Sequence, residues 1–119
     1  VYVDPALIQY VVRLVGATRD AEKHGIKDLA RYITYGASPR ASINLIEGSR
    51  ALAFLRGRDY VLPEDVIDLA PDVMRHRIVL SYEALSDGLS ADQIITRLMK
   101  NIPPPAKPLE SHVRLAANA

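Results

Sequence analysis

The strongest constraint on the fold is a helix that begins at Ser38-Pro39 and ends at Arg56-Gly57. Serine can cap the free amides of a helix start, and proline suits the first helical position, where no N–H is needed. Glycine favours the left-handed conformation that ends many helices. Apolar residues recur at helical spacing in between: Ala41, Leu45, Gly48, Leu52 and Leu55 on one seam, with Ile43, Ile46, Ala53 and Phe54 beside it. We therefore predict a central helix that other elements surround on most sides, with another backbone crossing closely at Gly48.

A second start signal, Asp4-Pro5, precedes this helix. A stripe follows it at helical spacing, formed by Leu7, Val11, Leu14 and Thr18 and widened by Ile8, Val12 and Val15. This pattern predicts a first helix over residues 5–19. The polar stretch 20–31 predicts a loop with one helical turn near residues 26–30. Residues 32–35 favour a short strand, which we expect to pair with residues 60–62.

A third helix is predicted to begin at Pro63, with Glu64 and Asp65 in its first turn. Both carboxylates complement the helix dipole, so we interpret them as structural. Pro71 is expected to end this helix and to open a fourth. The fourth helix would carry Val73, Met74, Ile78, Val79 and Leu80 to the core, and Asp72 would pair with Arg75 or His76.

A fifth helix is predicted from the capping box formed by Ser90 and Gln93, and three prolines end it by Ile102. The predicted fold class is therefore mainly α, a small bundle of four to five helices over residues 1–102 with one short two-stranded β pairing. Residues 103–119 are rich in Pro and Ala, with single Lys, Ser and Asn residues between them and no period. We expect them to form a flexible tail, part of it from the expression vector.

The composition limits the classes of function. A chain of 119 residues that is 49% hydrophobic is enough for one domain with one core, and a net charge of +1 argues against a general polyanion binder. The absence of cysteine excludes disulfides and thiolate sites and fits a reducing cytoplasm, so we expect a cytoplasmic protein. No apolar run approaches the ~18 residues of a membrane span, and no leader is recognisable. Because the chain opens at Val1 rather than methionine, we expect a piece of a longer protein.

Arg40 lies in the first turn of the central helix, where a positive charge opposes the helix dipole by about 0.3–1 kcal/mol. An anion would reverse that sign, because free amides, the positive helix end and a guanidinium with five donors would converge on it. The alternative is an arginine that is solvated or paired with a nearby carboxylate. The residues by themselves leave both interpretations open.

A set of motifs in one order carries a family resemblance: residues 36–42 (GASPRAS), 50–53 (RALA), 56–66 (RGRDYVLPEDV) and 75–77 (RHR). In this order they resemble the C-terminal lid domain of MoxR-type AAA+ ATPases, and the resemblance covers about residues 1–103. It implies that Arg40 is the catalytic sensor 2 residue, which reaches from the lid to nucleotide phosphates on a separate core domain. It also implies that Ser38, Pro39 and Ala41 lie beside the nucleotide.

The same resemblance implies the partners. ATP and Mg²⁺ would be bound mainly by the chain's own AAA+ core domain, in a homo-oligomeric ring with chaperone-like roles, often beside von Willebrand factor A domain proteins. We expect neither a membrane nor a nucleic acid as partner. The basic segment Arg75-His76-Arg77 is predicted to be an interface rather than a core element, because three consecutive basic-capable side chains cannot all point inward.

Independent catalysis is not expected of this chain. His24, His76 and His112 lie far apart without metal-ligand spacing, and no G-x-x-x-x-G-K-[ST] loop occurs. Two other functions compete with the lid. A helical DNA-binding module would use Arg56, Arg58, Arg75 and Arg77 as a basic patch, although helices three and four are too close for a helix-turn-helix. A plain protein-interaction bundle would present an exposed apolar face.

Overall fold

The computed structural model describes residues 1–105 and confirms a mainly helical fold with a small two-stranded sheet. The elements in chain order are α1 (Pro5–Arg19), α2 (Lys27–Ala30), β1 (Ile33–Tyr35), α3 (Pro39–Leu55), α4 (Pro63–Arg75), β2 (Val79–Leu80), α5 (Tyr82–Ser86) and α6 (Ala91–Lys100). The predicted tail lies outside the described residues from 106 onward, and the domain boundary at residue 102 stays a prediction. No helix within residues 1–105 is long and apolar enough to cross a membrane.

The core lies between α3 and the helices that pack on it. α1 and α4 both contact α3, and α6 packs against α1 and α4. The largest buried side chains include Leu7, Leu14, Leu29, Leu45, Met74, Ile94, Ile95 and Leu98. The predicted inner stripe of α1 is confirmed, but Ile8 and Val12 are 39% and 52% exposed and do not widen it.

α3 is central without being surrounded. Ile43, Phe54 and Leu55 are 62%, 71% and 79% exposed, because the core covers only the opposite side of the helix, which carries its buried residues. The prediction that other elements wrap α3 on most sides is therefore wrong. At Gly48 the close neighbour is the side chain of Leu69 in α4, not a crossing backbone.

Pro71 does not end a helix, because α4 runs through it to Arg75. An interior proline costs about 3 kcal/mol. However, Val66, Ala70 and Met74 form one buried stripe on both sides of it. Burial of a side chain the size of Val66 or Met74 stabilises by about 1.5–3 kcal/mol, so the continuous helix is favoured.

The predicted fourth helix does not form as a separate element, because residues 71–75 continue α4 and residues 79–80 form a strand. Val79 and Leu80 form β2, which pairs antiparallel with β1, so that Ile33 lies opposite Leu80. The expected pairing of β1 with residues 60–62 is wrong. Tyr60 instead forms an isolated parallel bridge with Tyr2.

Serines cap α5 and α6. Ser81 caps α5, a helix that the sequence did not predict: its hydroxyl accepts a hydrogen bond from the Ala84 N–H at 3.3 Å and donates to the Arg31 carbonyl at 2.6 Å. The predicted capping box of α6 is confirmed. The Ser90 N–H donates to Gln93 Oε1 at 2.8 Å, and the Gln93 N–H donates to Ser90 Oγ at 3.2 Å.

Candidate functional site

Arg40 occupies the second position of α3, which begins at Pro39. Its side chain is exposed and makes no hydrogen bond or ion pair with residues 1–105. The Ser38 hydroxyl accepts no hydrogen bond from the helix start, so the predicted side-chain cap is absent. Only the Ser38 carbonyl is engaged with the first turn, accepting from the Ala41 N–H at 2.9 Å. The positive end of α3 and the Arg40 guanidinium therefore face solvent together.

The predicted contact residues around Arg40 differ in accessibility. Ser38 and Pro39 are exposed beside it. Ala41 is fully buried in the hydrophobic core. The Ala41 side chain is therefore not available to a ligand, because it lies on the inner face of α3.

The loop that precedes Arg40 is held by the end of α1. Thr18 Oγ1 donates to the Val15 carbonyl at 2.6 Å and accepts from the Ala37 N–H at 2.8 Å. Arg19 Nη1 donates to the Ala37 carbonyl at 2.9 Å. Gly36 packs against the same helix end, where a Cβ would overlap the Thr18 carbonyl. Sequence reasoning missed these contacts, and a polar Thr18 within an apolar stripe was the available signal.

An exposed apolar face of α3 runs in the same direction as Arg40. At 100° per residue, Ile43, Phe54 and Leu55 lie within about 60° of Arg40 around the helix axis. Phe54 and Leu55 also line a shallow depression of about 400 Å³ at the far end of the helix. Phe54 and Leu55 are adjacent and form one exposed apolar patch, which is a candidate interaction face. Ile43 lies nearer the other end of the helix, with the exposed Glu47 between them.

Two arginines of the suggested basic patch are engaged with a buried carboxylate. Asp65 is fully buried and accepts from Arg58 Nη1 and Nη2 at 2.7 Å each and from Arg56 Nη1 at 2.9 Å. It also accepts from the Leu62 N–H at 2.8 Å, at the start of α4. Burial alone would raise the pKa of Asp65, but the hydrogen bonds from Arg58, from the helix-start amide and from the second arginine hold it below its ordinary value. The structural role expected of Asp65 is confirmed.

Arg75 is engaged as well. Its Nε donates to Asp92 in α6 at 2.6 Å and its Nη1 to Asp72 at 3.0 Å, which confirms the predicted pairing with Asp72. Within residues 1–105, Arg77 is then the one member of the suggested DNA-binding patch that has no partner. The DNA-binding hypothesis therefore loses its basic surface. The interface role predicted for Arg75-His76-Arg77 stays a prediction, now centred on His76 and Arg77 because Arg75 joins α4 to α6.

The histidines do not form a site in the described chain. No group of three His, Asp or Glu side chains within residues 1–105 is close enough to hold a metal ion. His24 Nδ1 lies 3.0 Å from the Asp20 carbonyl oxygen. His112 lies outside the described residues.

Known proteins are similar to this chain in sequence and in fold. The AAA lid domain family model matches residues 26–98. Chaperone MoxR1 of Mycobacterium tuberculosis is 47% identical over 114 residues, which cover 93% of this chain and 30% of that protein. Protein MoxR of Paracoccus denitrificans is 40% identical over 111 residues, which cover 88% of this chain and 32% of that protein. A crystal structure from Cytophaga hutchinsonii, named as a candidate ATPase, matches with a TM-score of 0.85 at 43% identity over 89% of this chain and 32% of that chain.

These matches agree on the part of a protein that the chain represents. The chain spans about a third of the length of each relative. The family model covers well over half of the chain, from just before α2 into α6. The chain therefore belongs to the AAA lid domain family, as a lid of the MoxR-like AAA+ ATPases.

Proposed function

We propose that this domain is the nucleotide-sensing lid of a longer ATPase and that Arg40 is its sensor 2 residue. The observation that carries the proposal is the unpaired, exposed guanidinium in the first turn of α3. A cation at that position opposes the helix dipole, so it becomes favourable only when an anion approaches. The phosphates of a nucleotide on the core domain would supply that anion.

The other unpaired arginines do not share this placement. Arg13, Arg77 and Arg97 also have no side-chain partner within residues 1–105. Arg13 lies inside α1, Arg77 follows α4, and Arg97 lies in the last turn of α6, where a positive charge is favourable. Among these described arginines, Arg40 alone lies at the positive end of a helix dipole, with no acidic residue in the first turn to offset its charge.

The chain's own residues fit a phosphate contact and not a complete nucleotide site. Ser38 and Pro39 are exposed next to Arg40 and can lie against a bound nucleotide. The described residues contain no cluster of three metal-ligating side chains. In the proposal, Mg²⁺ and most contacts to ATP therefore belong to the core domain. Arg40 adds a positive charge and bidentate hydrogen bonds to the phosphates from the lid side of the nucleotide.

The exposed face of α3 supports a coupling role. Ile43, Phe54 and Leu55 extend from the Arg40 end of the helix to its other end. We infer that this face docks on the core domain or on the neighbouring subunit, so that hydrolysis of the nucleotide that Arg40 contacts moves the whole lid. The name of the relative Chaperone MoxR1 supports a chaperone-like role, and assembly into a ring is part of the same proposal. A cytoplasmic location and von Willebrand factor A domain partners are part of the same proposal.

Turnover of the ATPase that contains this lid tests the role of Arg40. We expect Arg40→Ala to reduce ATP turnover at least tenfold, equivalent to about 1.4 kcal/mol in the barrier. Arg40→Lys should recover only part, because a point charge does not reproduce planar, bidentate contacts. Arg97→Ala also removes an exposed, unpaired charge and serves as the matched control, with turnover unchanged.

Thermal unfolding of the 119-residue chain separates this role from a structural one. Arg40→Ala should leave the midpoint unchanged or raise it slightly, since an unfavourable charge is removed. Unfolding of the variant would make Arg40 a structural residue, and unchanged turnover would show that it does not act on the nucleotide.

A further inference from the structure

We propose that Thr18 and Arg19 are positioning residues for Arg40, so that the end of α1 sets the position of the sensing arginine. This inference rests on the proposed function of Arg40. Thr18 and Arg19 lie about twenty residues before it in the chain and are brought to its loop only by the fold.

Both backbone groups of Ala37 are bound by this pair. The Ala37 N–H donates to Thr18 Oγ1 at 2.8 Å, and the Ala37 carbonyl accepts from Arg19 Nη1 at 2.9 Å. Thr18 is 3% exposed and Ala37 is fully buried. An N–H that loses its acceptor at a buried site carries a full desolvation penalty, so the hydroxyl of Thr18 fixes the loop strongly.

The hydroxyl of Thr18 is itself fixed. It donates to the Val15 carbonyl at 2.6 Å, so its lone pairs are directed toward the Ala37 N–H. Gly36 adds a steric contact, because its backbone lies against the Thr18 carbonyl with no room for a Cβ. The loop is therefore held by two hydrogen bonds and a close backbone contact.

These tertiary contacts replace the usual local device at a helix start. The Ser38 hydroxyl makes no capping hydrogen bond, so the side chain next to the helix does not fix its first turn. Pro39 has a restricted φ angle, so the chain has little freedom to rotate between the loop and α3, and the position of Ala37 determines where α3 starts. Arg40 follows at once, and a displacement of about 1 Å in a group that positions a reaction can reduce its rate about 100-fold.

A coupling experiment in the ATPase that contains this lid tests the inference. Thr18→Val and Arg19→Met are each measured alone and together with Arg40→Ala. We expect each single variant to lower turnover about fivefold or more, and to lower it no further once Arg40 is alanine, since residues that act through one another are not additive. Thr18→Ser and Arg19→Lys, which keep an acceptor or a donor, should recover part of the loss.

Two matched controls remove the same groups elsewhere. Thr96 Oγ1 donates to the Asp92 carbonyl at 2.8 Å, as Thr18 does to Val15, but within residues 1–105 it holds no second element. Arg13 lies on α1 with an exposed side chain. Thr96→Val and Arg13→Met should leave turnover unchanged.

The outcomes distinguish the two proposals. If Arg40→Ala lowers turnover and the Thr18 and Arg19 variants lower it by the same factor in both backgrounds, or not at all, the positioning role is overturned while the sensing role stands. If Arg40→Ala leaves turnover unchanged, the sensing role fails and the positioning role with it. Should Thr18→Val fail to fold, Arg19→Met decides alone, because Arg19 is exposed.

Discussion

Asp65→Asn tests whether the buried carboxylate is what joins α3 to α4. Asparagine has the same shape but offers only one acceptor oxygen. Its NH₂ group would face N–H donors whose hydrogen bonds the second Asp65 oxygen accepts. Each Asp65 oxygen accepts two hydrogen bonds, so two of the four shown lose their acceptor. A hydrogen bond to a charged group contributes about 1.5–3 kcal/mol.

The partners reduce that loss. The Arg56 and Arg58 side chains are 39% and 19% exposed, so both guanidiniums can regain water when Asp65 is changed. We therefore expect Asp65→Asn to lower the free energy of unfolding by about 2–3 kcal/mol, below or near the low end of the ~3–5 kcal/mol for breaking a fully buried pair. For a domain of this size the midpoint of thermal unfolding should fall by roughly 10 °C.

Circular dichroism of the 119-residue chain at pH 7, in heat and in urea, measures this change. Asp68→Asn is the matched control, since Asp68 lies on the same helix and binds Arg56 at 2.8 Å but is 52% exposed. We expect a much smaller decrease for the control. Equal decreases for Asp65 and Asp68 would show that burial does not determine the contribution of this carboxylate.

Three further outcomes are expected. Because the folded pKa of Asp65 is lowered, the stability that its charge contributes is complete above the unfolded pKa of about 3.9 and is lost as pH falls below that value toward the folded pKa. In urea titrations, the difference in free energy of unfolding between the parent chain and Asp65→Asn should be constant from pH 7 to 5 and shrink below pH 4. A difference that stays constant below pH 4 would contradict the lowered pKa. Gly36→Ala should destabilise the chain by about 1–3 kcal/mol through overlap with the backbone at the end of α1. Gly16→Ala lies inside α1, where a Cβ would make only ordinary contacts with His24 and Arg19, and should be neutral or stabilising by up to about 1 kcal/mol. The same melting midpoint for both variants would refute the steric argument. Phe54→Ser should leave the melting of the chain unchanged but weaken the proposed ring assembly of the ATPase in sedimentation, while Tyr82→Ser, at an 84% exposed position, should not. Equal assembly for both variants would exclude the α3 face as an interface between subunits.

The sequence determined several of the helix ends, because the capping interactions that begin and end a helix lie within a few residues. Asp4 caps α1 through the Ala6 N–H at 2.8 Å, and Ser90 and Gln93 close the capping box of α6. Gly57 has the positive φ of 78° expected at the end of α3. The place of Arg40 in a first helical turn was predicted from Ser38-Pro39, and α3 does begin at Pro39, although Ser38 makes no capping hydrogen bond.

Tertiary structure decided the features that depend on what packs where. The local penalty at Pro71 predicts a helix end, but burial on both sides of it is a non-local gain that no window of sequence contains. The partner of β1 and the exposed side of α3 depend in the same way on which elements surround them. The loop before Arg40 shows this most directly: Thr18 and Arg19 reach Ala37 across 19 and 18 residues, and hydrogen bonds over that separation exist only once α1 and α3 have packed together.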